Sequence, residues 1–362
     1  MSDRLFTPYT RTGLRLKNRI AMAPMTRSRA EGNLPNALMR DYYAQRSGAG
    51  LVISEGTAPS VDGLGYARVP GLFNEAQARG WGDIARAVQA DGSRLFIQLM
   101  HTGRIGHPAN LPQGGNLLAP SAVAADGQIW TDSAGMQPHP VPRAADAADL
   151  ARIRAAHVSA ATLAIAHGVD GVELHGANGY LLGQFMNPRS NRREDAYGGS
   201  PGKRLRFVLE VVDDTIAAIG KSRVGMRLSP FNPFNDLEVG FDGEREQFLQ
   251  LVAELARRDI GYLHLAGGTV TGERLREVRA AFPGTLILNG DYDGARAEAD
   301  LASGLADIIA FGRPFVANPD FAERLRTGAP IAELDPATLY TPGAAGYTDY
   351  PRLATAETVA AG

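Results

Sequence analysis

Residues 172–180 combine a short apolar run with three polar side chains that could do chemistry. The run is typical of a buried strand, and His175, Asn178 and Tyr180 follow it within six residues. An imidazole and a carboxamide can donate hydrogen bonds to a carbonyl oxygen while charge builds on it, and a nearby phenol can give a proton to the adjoining carbon. The alternative is a polar loop whose side chains only cap a helix.

The composition favours a soluble globular protein. A chain of 362 residues suits an elaborated α/β barrel, and its 44% apolar and 21% charged residues are close to the average for globular proteins. A net charge of -2 without a long basic block argues against nucleic-acid binding, and we expect no membrane segment. The absence of cysteine excludes disulfides, iron–sulfur clusters and thiolate nucleophiles. The first residues lack the features of an export signal, so we expect a cytoplasmic location.

The chain repeats an apolar run, a loop rich in Gly, Pro or Asn, and an amphipathic helix, which is typical of successive βα units. The predicted strands are 19–22, 51–54, 95–99, 171–174, 224–228, 262–265, 286–289 and 308–311. The predicted helices are 37–47, 75–90, 147–167, 204–219, 243–258, 272–281, 293–303 and 319–327. A doubly wound open sheet could use the same alternation. Eight equivalent units without a composition break favour an α/β fold closed as a (β/α)8 TIM barrel, in a single domain over 1–362.

Three segments fall outside this repeat. Residues 14–16, preceded by a glycine, predict an N-terminal hairpin that plugs the bottom of the barrel. Residues 103–143 form a long insertion after the third strand, and 328–362 form an irregular tail. Long insertions without regular structure are usually functional. Because barrel chemistry lies at the carboxyl ends of the strands, we expect residues 103–143 to form a lid there.

The remaining strand ends indicate one site for a phosphate group and another for an anionic ring system. The loops after strands seven and eight form the usual phosphate site of barrels, and Gly290, Gly312 and Arg313 suit it through close backbone approach and a cationic clamp. The alternative is two turn glycines and a surface arginine. Gln98 and Arg227 end strands three and five, and a permanently charged arginine there would stabilise an anionic ring such as a reduced flavin.

Taken together, these residues resemble the Old Yellow Enzyme family of flavin-dependent ene-reductases over nearly the whole chain. The matching motifs are Ala23-Pro24-Met25-Thr26-Arg27, Ser54-Glu55-Gly56-Thr57, Gln98-Leu99-Met100-His101, His175-Gly176-Ala177-Asn178-Gly179-Tyr180, Tyr197-Gly198-Gly199-Ser200, Phe311-Gly312-Arg313-Pro314-Phe315 and Gly346-Tyr347-Thr348-Asp349-Tyr350-Pro351. Met100 stands where the family often has tryptophan, so we expect a wider pocket.

The resemblance implies FMN bound non-covalently at the barrel mouth, with NADPH or NADH as hydride donor. The residues that it assigns to the flavin and its phosphate are Pro24, Met25, Thr26, Gly56, Gln98, Arg227, Gly290, Asp291, Gly312 and Arg313. It implies that His175 and Asn178 hold the substrate oxygen and that Tyr180 donates the proton. The side chains that would shape the rest of the substrate pocket are Tyr66, Met100 and Tyr340.

The implied activity is reduction of an activated alkene, such as an enal, enone, maleimide or nitroalkene. Hydride would reach the β-carbon while Tyr180 protonates the α-carbon. One alternative is a nitrate-ester or nitroaromatic reductase at the same site, and another is a flavin-binding protein without catalysis. A non-redox isomerase or lyase acting through a Schiff base needs a lysine at a strand end, but Lys17, Lys203 and Lys221 lie elsewhere. No histidine pair has the helical spacing of a zinc enzyme, so we expect no metal, and either a monomer or a homodimer.

Overall fold

The computed structural model describes residues 4–11, 13–112 and 115–353. The end of the predicted tail, 354–362, lies outside the described residues. The strands are β1 Tyr9–Arg11, β2 Leu14–Leu16, β3 Ile20–Met22, β4 Leu51–Ile53, β5 Arg94–Leu99, β6 Leu118–Ala119, β7 Gln128–Thr131, β8 Gly135–Pro138, β9 Arg143–Ala144, β10 Gly171–Gly176, β11 Val224–Leu228, β12 Tyr262–Leu265, β13 Leu286–Asn289 and β14 Ile308–Phe311.

Eight of these strands close into a barrel in the order β3-β4-β5-β10-β11-β12-β13-β14, with β14 paired to β3. Each pair of neighbours in the barrel is parallel. Strands buried on both faces read as continuous apolar runs, as these do. The predicted (β/α)8 TIM barrel is confirmed, and the carboxyl ends of its strands meet at one mouth.

Helices alternate with the barrel strands. Their bounds are α1 Ala37–Gln45, α2 Glu75–Gln89, α3 Ala147–Ala166, α4 Leu181–Met186, α5 Pro201–Ile219, α6 Glu244–Arg257, α7 Gly272–Ala281, α8 Gly294–Ser303, α9 Arg313–Ala317 and α10 Phe321–Thr327. Several begin at a side chain that accepts a hydrogen bond from the first turn, as Asn36, Asn74, Asp146 and Asp293 do. None of the helices in the described ranges is long and apolar enough to cross a membrane.

Two helix predictions differ from the structure. The predicted helix 319–327 is the second of two short helices, α9 and α10. The break falls at Asn318, whose backbone leaves the helical region, as is favoured before a proline, and whose side chain donates to the Pro314 carbonyl at 2.8 Å. The six-residue helix α4 was not predicted, because it is too short to show a helical period.

The N-terminal hairpin β1–β2 closes the amino-terminal end of the barrel, as predicted. Tyr9, Leu14 and Leu16 are buried in one apolar cluster with inward-facing residues of the barrel strands. The Tyr9 hydroxyl lies 2.9 Å from the Thr285 hydroxyl, just before β13. The opposite end is therefore the open one.

The insertion after β5 contains regular structure, so the expectation of a structureless segment was wrong. Strands β7 and β8 form an antiparallel hairpin, and β6 pairs with β9. In β7, Ile129 and Thr131 are buried while Gln128 and Trp130 are exposed. Strands of two to four residues are too short for their alternation to stand out in a Gly- and Pro-rich sequence.

The described part of the tail, 328–353, contains one 3-10 turn, Pro336–Thr338, and is otherwise irregular as predicted; buried arginines hold it against the barrel. The Arg27 guanidinium donates to the Gly346 carbonyl at 2.6 Å, and that of Arg29 donates to the Leu339 carbonyl at 2.7 Å. Tyr347 stacks on Tyr42 with ring centroids 4.0 Å apart. These contacts place the residues around Tyr340 at the barrel mouth.

Candidate active site

A cavity of about 1030 Å³ opens at the carboxyl ends of the barrel strands. It is at the upper end of the range of small-molecule pockets, about 300–1,000 Å³. The residues in its wall that the sequence predicted for the site are Pro24, Thr26, Tyr66, Gln98, Met100, His175, Asn178, Tyr180, Arg227 and Tyr340. Barrel closure thus brings together side chains that are far apart along the chain.

His175 lies near the end of β10, and its ring faces the cavity. The backbone amide of Ala177 donates to its Nδ1 at 3.2 Å, which assigns the proton of a neutral ring to Nε2. Burial, and then the charge of Arg227, lowers the pKa of His175 well below its ordinary value. The ring is therefore neutral at physiological pH and can donate through Nε2.

Asn178 occupies the left-handed backbone region, with φ at 56°, which asparagine tolerates better than most residues. Its backbone amide donates to the Ser229 hydroxyl at 2.7 Å, and its carbonyl accepts from Asn235 Nδ2 at 2.8 Å. Its side-chain amide makes no hydrogen bond with any other described residue. That amide is consequently free to donate into the cavity.

Tyr180 is the N-cap residue of α4, and its hydroxyl lies 3.0 Å from the hydroxyl of Tyr66. Its ring packs edge-on against the His175 ring, with centroids 4.8 Å apart. Burial raises the pKa of Tyr180 above its ordinary value and raises that of Tyr66 still further. Both phenols hold their protons at neutral pH, so a neutral acid stands beside the two neutral donors.

Four buried polar side chains, Gln98, Glu173, Arg227 and His264, form what we call the cavity floor. Gln98 Nε2 donates to Glu173 Oε1 at 2.8 Å, and His264 Nδ1 lies 2.8 Å from Glu173 Oε2. Arg227 Nη2 donates to Asn289 Oδ1 at 3.0 Å, while its Nε has no partner among the described residues. The floor thus keeps one buried cationic donor unsatisfied.

The residues of the floor fit a flavin. Arg227 lines the cavity and uses only Nη2 in a hydrogen bond with a described residue, so its guanidinium keeps N–H groups for an acceptor supplied by a ligand. The Gln98 amide group is used on Glu173, so its carbonyl oxygen is left for a ligand N–H. An acceptor beside a charged donor matches the N–H and C=O groups on the pyrimidine edge of FMN.

The remaining residues predicted for the flavin lie next to the cavity and outside its wall. A Cβ on Gly56 would lie 2.5 Å from the Met100 sulfur, so glycine lets Met100 pack closely there. A Cβ on Gly312 would lie 3.6 Å from the Met25 sulfur, which places these two residues side by side. Their predicted contacts with the cofactor stay predictions.

The predicted phosphate residues lie on the loops that follow the neighbouring strands β13 and β14. They are Gly290, Asp291, Gly312 and Arg313, and none of them lines the cavity. Arg313 is exposed and forms no ion pair within the described part of the chain. Their position after two neighbouring strands, with Arg313 as the first residue of α9, is the one that barrels use for phosphate, and their role stays a prediction.

Four large apolar side chains form the outer edge of the cavity, which we call the cavity rim. They are Trp130, Met136, Phe234 and Tyr340, each more than half exposed. Only Tyr340 was predicted. An exposed tryptophan in a polar insertion was the available signal, because exposed apolar groups that cluster mark binding surfaces.

Asn235 is a further residue that the sequence analysis missed. It lies in the loop after β11, which is held by the Arg104 guanidinium donating to the Asp236 carbonyl at 2.6 Å. Burial raises the pKa of Tyr66 and Tyr180, and the nearby Asn235 amide counteracts part of that rise. The same amide donates to the Asn178 carbonyl, so Asn235 lies between the two phenols and the backbone of Asn178.

Comparison with known proteins agrees with this geometry. The NADH:flavin oxidoreductase / NADH oxidase family matches residues 4–331. The chain is 38% identical to a probable flavin mononucleotide-dependent alkene reductase of Leishmania infantum, over 96% of this chain and 97% of that protein. Among the similar solved structures is morphinone reductase in complex with tetrahydroNAD, with 42% identity and a TM-score of 0.92 over 97% of this chain and 98% of that one. Another is the Old Yellow Enzyme homologue from Zymomonas mobilis, with 39% identity and a TM-score of 0.91 over 96% of this chain and 99% of that one.

A closed barrel with two neutral donors, a phenol and a buried arginine at its mouth agrees with the family match and defines a flavin oxidoreductase. The chain belongs to the NADH:flavin oxidoreductase / NADH oxidase family, and within it to the Old Yellow Enzyme group of FMN-dependent ene-reductases. The resemblance inferred from the sequence motifs is confirmed.

Proposed function

We propose that this protein binds FMN non-covalently and uses NADPH or NADH to reduce the activated C=C bond of an enal, enone, maleimide or nitroalkene. The observation that carries the proposal is the arrangement of two neutral hydrogen-bond donors, His175 and Asn178, beside the protonated phenol of Tyr180. All three line one cavity above the floor.

His175 and Asn178 act on the electron-withdrawing oxygen of the substrate. Their free N–H groups are rigidly placed, because Ala177, Ser229 and Asn235 satisfy the surrounding ring nitrogen and backbone groups. Such preorganised donors stabilise the negative charge that builds on the oxygen when hydride adds to the β-carbon. When bound, FMN takes hydride from the nicotinamide and supplies it to that carbon.

Tyr180 supplies the proton that balances the reaction. Its hydroxyl hydrogen passes to the α-carbon, so the alkene gains one hydride and one proton. Tyr66, whose hydroxyl is within hydrogen-bond distance, holds the Tyr180 hydroxyl in place. A phenol whose pKa is raised by burial stays protonated until a strong carbon base forms next to it.

The floor and the neighbouring loops would hold the cofactor. Gln98 and Arg227 would bind the pyrimidine edge, and Pro24, Met25, Thr26 and Gly56 would contact the ring. The phosphate would lie against Gly290, Asp291, Gly312 and Arg313. The tetrahydroNAD complex of morphinone reductase supports a nicotinamide coenzyme. The pocket roles of Tyr66, Met100 and Tyr340, the cytoplasmic location and the monomeric or homodimeric state stay predictions.

The alternatives use this arrangement less fully. Reduction of a nitrate ester or nitroaromatic compound needs no proton at an α-carbon, so it would leave Tyr180 without a role. A non-redox isomerase or lyase disagrees with the family to which the chain belongs. A flavin-binding protein without catalysis would have no use for the three converging groups.

The test is a purification followed by two anaerobic half-reactions. The purified protein is expected to be yellow and to release FMN on denaturation. NADPH or NADH is expected to bleach the flavin, and cyclohex-2-enone is expected to restore its absorbance. A protein that binds no added FMN, or a reduced flavin that enones do not reoxidise, would end the proposal.

A further inference from the structure

Glu173 is a buried carboxylate that the proposed reaction does not use. It precedes His175 by two residues on β10, so both side chains point to the same side of the strand, into the barrel. The strand register places it opposite Gln98, and Arg227 opposite His264. All four side chains are almost completely buried, and Gln98 and Arg227 also line the cavity.

Both oxygens of Glu173 have a hydrogen-bond partner inside the barrel. Oε1 accepts from Gln98 Nε2 and Oε2 lies against His264 Nδ1, each at 2.8 Å. Burial lowers the pKa of His264, and a neutral ring there serves as a donor to the carboxylate. Burial raises the pKa of Glu173, but His264, Arg227 and Gln98 outweigh that effect and keep the pKa below its usual value. Glu173 is thus an anion that only accepts hydrogen bonds.

An acceptor-only neighbour decides which way the Gln98 amide points. The NH2 group must face Glu173, so the carbonyl oxygen faces the cavity. In the reverse orientation two oxygens would meet in the core, and the cavity would receive a second donor beside Arg227. The pyrimidine edge of a flavin offers an N–H at that position, which needs an acceptor.

Glu173 and Arg227 lie on the adjacent strands β10 and β11, two residues apart in register, so the carboxylate is a nearby counter-charge to the guanidinium. Burial lowers the pKa of the Arg227 guanidinium, and Glu173 is the largest effect that opposes this. A positive charge under the ring favours the anionic reduced flavin, and a negative charge close by weakens that preference. Glu173 therefore moderates the reduction potential of any flavin bound above it.

We propose that Glu173 is a positioning residue for the flavin: it orients the Gln98 amide so that its oxygen faces the ring, and it offsets the charge of Arg227. The inference depends on the proposed function, since it requires FMN at this site. It concerns how the chain sets the affinity and the potential of the cofactor, beyond the reaction itself.

The test uses Glu173→Gln, which keeps the shape and removes the charge. Reconstitution of apoprotein with FMN should give a Kd about tenfold higher than wild type, because the orientation of one hydrogen bond to a ring N–H is no longer enforced. The midpoint potential of the bound flavin should rise, because the positive charge of Arg227 is no longer offset. An unchanged Kd together with an unchanged potential would overturn the inference.

Glu173→Asp separates the two effects and serves if Glu173→Gln does not fold. It keeps the charge but is one methylene shorter, so it cannot bridge Gln98 and His264. Weaker FMN binding with a markedly smaller rise in potential is expected, and wild-type affinity would contradict the inference. Ile287→Val, an apolar change in register with His264, controls for loosened packing and should leave the potential unchanged.

A double-mutant cycle with Gln98→Ala shows whether Glu173 acts through Gln98. In the Gln98→Ala background, Glu173→Gln should change the Kd for FMN by only about twofold, because the Gln98 amide that Glu173 orients is absent. A full tenfold change there would overturn the positioning role. Failure of the wild-type protein to bind FMN would instead refute the proposed function, so the two failures are distinguishable.

Discussion

The floor and the rim of the cavity differ in what holds their side chains. The floor lies at the ends of neighbouring barrel strands, where the register pairs Gln98 with Glu173 and hydrogen bonds fix both. The rim comes from the insertion, the loop after β11 and the tail, and its apolar side chains are more than half exposed. Rigid strands suit the geometry that chemistry requires, and loops suit the selection of substrates. We therefore expect mutations in the two regions to affect different measurements.

The largest effect should come from the donor pair above the floor. His175→Ala combined with Asn178→Ala removes both N–H groups that face the substrate oxygen. Enone-driven reoxidation should slow by on the order of 10³-fold or more, and phenols should no longer bind with their charge-transfer band. As a control, the double variant should contain as much FMN as the wild-type protein. A charge-transfer band that persists in the double variant would remove these residues from the oxygen site.

The next effect should come from the proton donor. Tyr180→Phe should slow enone turnover by about 10²- to 10⁴-fold and leave reduction by NADPH nearly intact. Tyr66→Phe is the matched control, since it keeps the Tyr180 hydroxyl and removes only its partner at 3.0 Å. Its effect should be at most about tenfold. Equal losses in both half-reactions of Tyr180→Phe would contradict a role confined to protonation.

Asn235, which lies beside the two phenols and donates to the Asn178 carbonyl, should have an intermediate effect when it is replaced. Glycine is the suitable replacement, because the backbone φ of Asn235 is 58°. Asn235→Gly should slow enone turnover by about tenfold through loss of the hydrogen bond to the Asn178 carbonyl. Stopped-flow reoxidation measures it, with the FMN Kd as the control. A changed FMN Kd with normal turnover would place its role in cofactor binding.

The rim should give the smallest effect on the chemistry. Trp130→Ala should leave FMN affinity and cyclohex-2-enone turnover within about twofold of wild type. The reason is that the Trp130 side chain is 53% exposed and lies on β7, apart in sequence from His175, Asn178 and Tyr180. Met136→Ala offers a comparison on the paired strand β8. A loss of FMN binding in Trp130→Ala would show that the rim supports the floor, against the contrast drawn above.

Much of the floor could be predicted from the sequence, because strand ends are recognisable and parallel closure brings them together. Gln98, Arg227 and His175 follow continuous apolar runs, so their placement required only the barrel. Glu173 was overlooked as part of the same runs, since a carboxylate inside a buried strand has no motif of its own. Its meaning depends on the register with Gln98, which appears only in three dimensions.

The rim could not be predicted in the same way. Trp130 and Met136 belong to strands of four residues within an insertion that has no clear period. The position of Asn235 depends on a loop with successive left-handed residues held by Arg104, a contact across 131 residues of sequence. Tertiary contacts determine such loops, and local patterns carry little information about them.

The most direct test of the central claim is anaerobic rapid mixing of the NADPH-reduced protein with cyclohex-2-enone, followed by the flavin absorbance. We expect complete reoxidation that saturates with enone concentration and yields the saturated ketone. With His175→Ala and Asn178→Ala combined, the reoxidation should almost disappear while the flavin stays bound. Reoxidation at the wild-type rate in that variant, or none in the wild-type protein, would contradict the proposed function.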